Sequence, residues 1–94
     1  MNSIAKKLGK RIKLMRVEKD MSQSNVAQTA NIDSSHIGKI ERGEVNITVE
    51  TLYRLAVSLG CNPAELLPEI KQVSDWSYKI ILEQNVLIFH SDMS

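Results

Sequence analysis

The chain has 94 residues, which is enough for one small domain with a single hydrophobic core. Its 12 Lys and Arg residues nearly balance its 11 Asp and Glu residues, and the net charge of +1 argues against a histone-like protein that binds nucleic acid by bulk charge alone. The longest uninterrupted apolar run is only Val86 to Phe89, so we expect no membrane-spanning segment.

Cysteine and histidine usage limits the chemistry of the chain. The single cysteine, Cys61, excludes an intramolecular disulfide and a zinc cluster built on cysteines. His36 and His90 are the only histidines, and no Cys–His spacing of a metal site occurs, so we expect no metal. No other cofactor is expected. Lys6 and Lys7 come early, without an apolar stretch beside them, and a signal peptide is therefore not expected. These features together predict a protein of the reducing cytoplasm.

Charge is distributed unevenly along the chain. Residues 1–20 carry seven Lys and Arg against two acidic residues, a net charge of +5. Residues 61–94 carry two Lys against five acidic residues, a net charge of −3. A basic beginning and an acidic end suggest one surface for a polyanion and a different role for the end of the sequence, although a solvated basic helix face would carry the same N-terminal charges.

The first helix is predicted from Ser3 to Lys19. Its apolar residues recur at intervals of four, four and three, so they lie on one helical face, and most of the lysines lie on the other. The apolar residues of this face are Ile4, Leu8, Ile12 and Met15.

Two short helices follow. The first begins after Ser22, a favoured N-cap, and ends at Asn31, which tolerates the left-handed conformation of a C-cap. The second begins after Asp33, another N-cap candidate, and ends at Arg42, before Gly43. Because only about three residues join them, the two helices are predicted to form a helix-turn-helix unit.

A fourth helix is predicted between Thr48, its N-cap, and Gly60. A fifth, short helix begins at Asn62 and Pro63, since proline is favoured at the first helical position. The predicted architecture is therefore all-α, with a five-helix domain over residues 1–67 and a C-terminal extension over residues 68–94.

The extension is acidic and apolar. Around a plausible turn at 83–85, residues 78–90 alternate in a way that slightly favours a β-hairpin over a helix. An exposed strand of this composition would associate with another chain, so we predict a dimer interface here, although the same side chains could instead complete the core of the monomer. The predicted contact residues are Trp76, Tyr78, Ile80, Leu82, Leu87 and Phe89.

Residues spread over four of the predicted helices resemble one known family. They are Leu8 to Ile12, Arg16, Met21 to Gln23, Val26 and Ala27, Ile32 and Asp33, Ile37 to Gly43, Thr51 and Leu52, and Leu55 and Ala56. Over roughly residues 4–67, this pattern is similar to the Cro/C1-type (Xre family) helix-turn-helix of phage repressors and bacterial regulators. The small size and the stretch from Asn46 to Thr48 also resemble controller proteins of restriction–modification systems. The resemblance implies a lambda-repressor-like fold that binds double-stranded DNA.

The resemblance makes the third helix the recognition helix, whose N-terminal end enters the major groove. Ser35 and Lys39 are one turn apart on one face, where lysine can donate to guanine and serine can pair with either kind of base atom. N-terminal capping is the alternative role of the serines. The predicted base-reading residues are Ser34, Ser35 and Lys39.

Other matched positions are expected to hold the DNA backbone or the recognition helix. Gln23 matches a family position that binds a phosphate and supports the recognition helix, and Arg16 and Glu41 match the family's structural ion pair. Glu44 and Val45 stand where many relatives carry basic residues, so we expect few phosphate contacts. His36 could donate to a phosphate or a base, or it could cover the interface with the second helix. The predicted backbone contacts are Gln23, His36, Arg42, Asn46 and Thr48.

The sequence thus predicts a sequence-specific DNA-binding transcription regulator. A single module of this size reads only about four or five base pairs, so a homodimer on palindromic operators is expected. The alternative is a protein-interaction module, such as an antitoxin whose extension binds a partner protein. An enzyme is not expected, because the sequence has no recognisable nucleophile–base pair or phosphate-binding glycine loop, and no small-molecule effector or membrane partner is evident.

Overall fold

The computed structural model describes residues 3–69, which form four α-helices and one 3-10 turn. No strand occurs in this range, and the predicted all-α class is confirmed. The elements are α1 (Ser3–Glu18), α2 (Gln23–Ala30), α3 (Ser34–Glu41), α4 (Val49–Leu59) and the 3-10 turn (Pro63–Leu66).

The prediction of a fifth α-helix is wrong, because this element is a single 3-10 turn. The Asn62 side chain accepts a hydrogen bond from the Ala64 N–H at 3.0 Å, and the Glu65 carboxylate accepts one from the Asn62 N–H at 2.8 Å. Pro63 takes the first position, as expected. The N–H of Leu67 then donates to the carbonyl of Ala64, three residues earlier. A capped segment this short closes i→i+3 bonds instead of propagating an α-helix.

Two predicted helix ends shift by one residue. α1 ends at Glu18 rather than Lys19, because Asp20 turns the chain into the left-handed region with φ 55°. α3 ends at Glu41, and Arg42 is its C-cap rather than its last helical residue. Terminal turns tighten in this way because their last carbonyl groups have no helical partner four residues on.

The N-caps differ in how they work. Ser22 and Thr48 cap α2 and α4 as predicted: the Ser22 hydroxyl accepts from the Asn25 N–H at 3.0 Å, and the Thr48 hydroxyl accepts from the Thr51 N–H at 3.1 Å. Asp33 has the extended backbone of an N-cap, but its side chain makes no capping hydrogen bond, so that part of the prediction is wrong. The α3 terminus therefore leaves the Asp33 carboxylate available for another partner.

The turn between α2 and α3 is formed by Asn31 in the left-handed conformation, φ 56°. Its N–H donates to the carbonyls of Ala27 and Gln28, and the N–H of Ile32 also donates to Ala27, at 2.9 Å. These bonds satisfy the last carbonyl groups of α2. The predicted helix-turn-helix linker is thus observed at residues 31–33.

The hydrophobic core lies where the helices meet. α3 packs against both α1 and α2, while α4 packs against α2 and the 3-10 turn. Burying each large aliphatic side chain contributes about 1.5–3 kcal/mol to the stability of such a core. The largest fully buried side chains are Ile12, Val26, Ile37, Ile40, Leu55, Leu59 and Leu66.

α1 approaches the end of α3 closely at Gly9. A Cβ atom at this position would lie in contact with the backbone carbonyl oxygen of Ile40 and 2.8 Å from that of Glu41. Because backbone atoms cannot move aside cheaply, this crossing requires a residue without a side chain.

The extension predicted at 68–94 lies outside the described residues except for residues 68 and 69. The choice between hairpin and helix at 78–90, the boundary at 67–68 and the six predicted interface residues, Trp76 to Phe89, accordingly stay predictions. Within residues 3–69, no helix is both long and apolar enough to cross a membrane.

Candidate nucleic-acid interface

α3 has one buried face and one exposed face. Ile37 and Ile40 face the core, whereas Ser35 and Lys39 are exposed one turn apart. Ser34 is exposed at the beginning of the helix. The structure therefore brings the three residues predicted to read bases onto the surface of one helix.

Ser35 is not a free hydroxyl on this surface. Its Oγ donates a hydrogen bond to Oδ2 of Asp33 at 2.6 Å, and both residues are exposed. The Asp33 carboxylate, which does not cap α3, thus accepts the hydroxyl proton of Ser35. A serine hydroxyl has only one proton to donate, so this contact determines what Ser35 can offer to a ligand.

The end of α3 is held by a buried carboxylate, Glu41. Arg16 of α1 binds it in a bidentate manner, with Nε 2.6 Å from Oε2 and Nη2 3.0 Å from Oε1. The amide nitrogen of Gln23, at the start of α2, donates to Oε1 at 3.0 Å. Nη1 of Arg16 also donates to the carbonyl of Met21 at 2.8 Å. The predicted partners Arg16 and Glu41 are in contact, and Gln23 joins them.

This network connects three helices, because Arg16 belongs to α1, Gln23 to α2 and Glu41 to α3. Burying a charge is costly unless it is paired and hydrogen-bonded, and both conditions hold for Glu41. No buried side-chain nitrogen or oxygen atom in the described part of the chain lacks a hydrogen-bond partner. The network therefore fixes the orientation of α3 relative to α1 and α2.

Arg42 lies against Gly38 of α3 and is paired with an acidic residue. Its Nη1 would lie 3.1 Å from a Cβ atom placed on Gly38, and its Nε is 2.5 Å from Oε2 of Glu44. The hydrogen bond to Arg42 lowers the pKa of the Glu44 carboxyl, with smaller contributions from the charges of Arg42 and Lys39, while the same hydrogen bond raises the pKa of Arg42. Glu44 therefore stays ionised and reduces the positive charge beside α3.

The other four residues predicted to contact the DNA backbone differ in their hydrogen bonds and in their exposure. The Gln23 amide nitrogen and the Thr48 hydroxyl already make intramolecular bonds, to Glu41 and to the start of α4 respectively. Asn46 is exposed in the loop before α4, and His36 is half-buried on α3. The structure thus does not gather the five predicted backbone contacts into one patch of unoccupied side chains.

The sequence model of the HTH_3 helix-turn-helix family matches residues 12–66, more than half of the chain. The chain belongs to this family, the Xre or Cro/C1 type. It is 34% identical over 62 residues to an immunity repressor protein of Bacillus phage phi105, a match that covers 66% of this chain but only 43% of the repressor. It is 30% identical over 67 residues to control protein C.BamHI of Bacillus amyloliquefaciens, covering 70% of this chain and 83% of that protein.

A solved structure agrees with this assignment. The restriction-modification controller protein C.AhdI of Aeromonas hydrophila superposes with a TM-score of 0.66 at 33% identity, covering 67% of this chain and 96% of that one. This HTH_3 protein is accordingly a DNA-binding transcription regulator of the helix-turn-helix type, and its relatives are regulators rather than enzymes. α2 and α3 are its helix-turn-helix pair, with α3 in the position of the second, recognition helix.

Three features of this HTH_3 site were missed by sequence reasoning. They are the contact between Asp33 and Ser35, the pairing of Arg42 with Glu44, and the identity of Glu41 as the partner through which Gln23 supports α3. The first two join polar residues only two positions apart, so their proximity could have been considered from the sequence. The third joins residues 18 positions apart and has no local signal.

Proposed function

We propose that this HTH_3 protein is a sequence-specific regulator that represses or controls transcription by inserting α3 into the major groove of operator DNA. The observation that supports it best is the exposed face of α3, which carries the small polar side chains Ser34 and Ser35 and, one turn further, the cationic Lys39. Small side chains let the helix approach base edges, and a lysine can donate to guanine O6 and N7.

The attachment of α3 supports the same function. Reading bases requires a recognition helix whose orientation does not drift, because hydrogen bonds to base edges are sensitive to small displacements. The carboxylate of Glu41, held by Arg16 and Gln23, attaches α3 to two other helices. In this proposal Arg16 acts on DNA only through the position of α3.

The protein acts as a homodimer in this proposal, with the extension at 68–94 as the dimer interface. One module buries too little DNA surface to find a single site in a genome, and two modules on a two-fold axis read two half-sites about one helical turn apart. The acidic character of residues 61–94 suits a surface that faces away from DNA. Such a regulator works in the cytoplasm, where bacterial DNA is found.

An exposed apolar stripe on α4 favours a second candidate, a protein-interaction module such as an antitoxin. Val49, Tyr53 and Val57 recur every four residues and are 71%, 56% and 79% exposed. Tyr53 and Val57 also border a shallow groove of about 400 Å³ between α2 and α4. Exposed apolar stripes commonly mark interaction surfaces, although α3 still favours DNA as the first ligand.

The deciding experiment is selection of bound DNA from a random duplex pool at about physiological salt. The proposed function predicts an enriched inverted repeat whose half-sites are about 10 base pairs apart. Binding without an enriched sequence, lost steeply as salt rises, would indicate charge-only contact and contradict the proposal. A search for a protein partner of the α4 stripe would then take precedence.

Lys39→Ala tests the role of the recognition face. We expect it to weaken binding to the selected operator by about 1–3 kcal/mol, while binding to random DNA changes little, because a base contact is lost rather than a phosphate contact. The measurement is fluorescence anisotropy with both duplexes. Lys13→Ala, which removes the same charge from an exposed position of α1, is the matched control and should affect both duplexes alike. Equal losses for Lys39→Ala on both duplexes would remove Lys39 from the base-reading residues.

A further inference from the structure

We infer that Asp33 and Ser35 act together as a specificity determinant that selects a cytosine in each half-site of the operator. The inference rests on the proposed function, because it assumes that the exposed face of α3 meets base edges. It concerns which base these two side chains accept, a property that neither residue type determines alone.

The hydrogen bond between the two residues restricts what they offer to DNA. Ser35 donates its only hydroxyl proton to Oδ2 of Asp33 at 2.6 Å. The Asp33 carboxylate is not used for capping, so Oδ1 and the lone pairs of the Ser35 oxygen remain as acceptors. A serine by itself pairs with donors and acceptors alike, whereas this serine–aspartate pair presents acceptors only.

The chemistry of the major groove then decides between the bases. Guanine presents two acceptors there, and thymine presents an acceptor and a methyl group, so neither supplies a proton to the pair. Cytosine and adenine both present an amino donor. The amino group of adenine lies between two acceptors, its own N7 and O4 of the paired thymine, and each can face a second acceptor of the pair. The amino group of cytosine has an acceptor on one side only, O6 of the paired guanine, and a C–H group on the other. An acceptor-only pair therefore favours cytosine.

The charge of Asp33 strengthens this discrimination. A carboxylate near the phosphate backbone is repelled on any DNA sequence, and a hydrogen bond from an amino group offsets the repulsion only where a donor base is present. Lys39 lies one turn further along the same face and can donate to guanine, so the two sites on α3 have opposite base preferences. A serine without the neighbouring carboxylate would lack this selectivity.

The test repeats the DNA selection with the full-length protein, with Asp33→Asn and with Asp20→Asn. Asparagine has nearly the shape of aspartate but carries an amide that can donate, so Asp33→Asn should move the preference from cytosine to adenine, its bidentate partner. At that position we expect the wild-type protein to prefer cytosine over the other bases by about tenfold, and the variant to lose this preference. Asp20→Asn removes the same charge from an exposed position between α1 and α2 and should leave every base preference unchanged.

A second variant tests the contribution of the Ser35 hydroxyl. Ser35→Ala removes the hydroxyl but keeps the carboxylate, so it should weaken the cytosine preference without moving it to adenine. If the wild-type protein selects a motif and Asp33→Asn leaves each position unchanged, the inference is wrong and the proposed function stands. If the wild-type protein selects no motif at all, the proposed function itself fails, and the inference fails with it.

Discussion

At the scale of single residues, Glu41 is a carboxylate of α3 that is hydrogen-bonded to both α1 and α2. Its side chain is only 2% exposed and accepts hydrogen bonds from Arg16 and Gln23. A buried carboxylate of this kind adds little net stability compared with an apolar residue, but removing it leaves the arginine without its charge partner. The network therefore matters most for the unique position of α3.

Glu41→Ala is expected to destabilise the domain by about 3–5 kcal/mol, because the Arg16 guanidinium is left buried and unpaired. Urea unfolding followed by circular dichroism measures this loss. The matched control is Glu50→Ala, which breaks the Glu50–Arg54 pair of 3.0 Å on the surface of α4. An exposed pair contributes about 1 kcal/mol or less, so the control should unfold nearly as the wild type does. Similar losses in the two variants would contradict the structural role of Glu41.

Among the elements, the crossing of α1 over the end of α3 depends on backbone contact. Gly9 touches the carbonyl groups of Ile40 and Glu41, so α1 and α3 approach without an intervening side chain. The same crossing brings Arg16 within reach of Glu41, two turns further along α1. Close helix packing and the ion pair thus support each other.

Gly9→Ala is expected to destabilise the protein by about 1–3 kcal/mol, although alanine is the better helix former, because the added methyl group meets backbone atoms that cannot rotate away. Thermal unfolding measures the effect. Gly38→Ala is the matched control within α3: its Cβ would meet only the end of the Arg42 side chain, 3.1 Å away. This control should be neutral or stabilising by up to about 1 kcal/mol. Stabilisation by both substitutions would show that the crossing has room for a side chain.

For the molecule as a whole, the proposed dimer joins two recognition helices into one DNA-binding unit. The domain at 3–69 has its own core and its own satisfied polar groups. Its fold is therefore expected to survive loss of the dimer. Operator affinity is expected to fall when the dimer is lost, because each half-site alone supplies only part of the binding free energy.

Ile80→Asp is expected to convert the dimer to monomers, raising the dimer dissociation constant at least about 100-fold, since a buried and unpaired carboxylate is strongly disfavoured at an interface. Sedimentation velocity measures the mass, and circular dichroism checks that the helices of residues 3–69 remain. Ser77→Asp adds the same charge at a neighbouring polar position and should leave the dimer intact. Loss of helical signal in Ile80→Asp would instead mean that the extension completes the core of the monomer.

Much of the fold could be predicted because its signals are local. Ser22, Asn31 and Thr48 mark helix ends through bonds to residues within four positions, and the apolar spacing of α1 identifies its buried face. The errors are local too. The Asp33 carboxylate accepts a hydrogen bond from Ser35 instead of capping α3, and the element after Asn62 closes i→i+3 bonds instead of an α-helix. Residue preferences alone do not distinguish these alternatives.

By itself, the sequence determined the all-α class, the helix-turn-helix at α2 and α3 and the exposure of Ser35 and Lys39, because caps and helical spacing act over a few residues. Only the tertiary structure decided which polar atoms are already occupied. Gln23 donates to the Glu41 carboxylate, 18 residues away on a different helix. Long-range hydrogen-bond partners of this kind depend on how the helices pack in three dimensions, because their atoms come close only once α1, α2 and α3 are assembled.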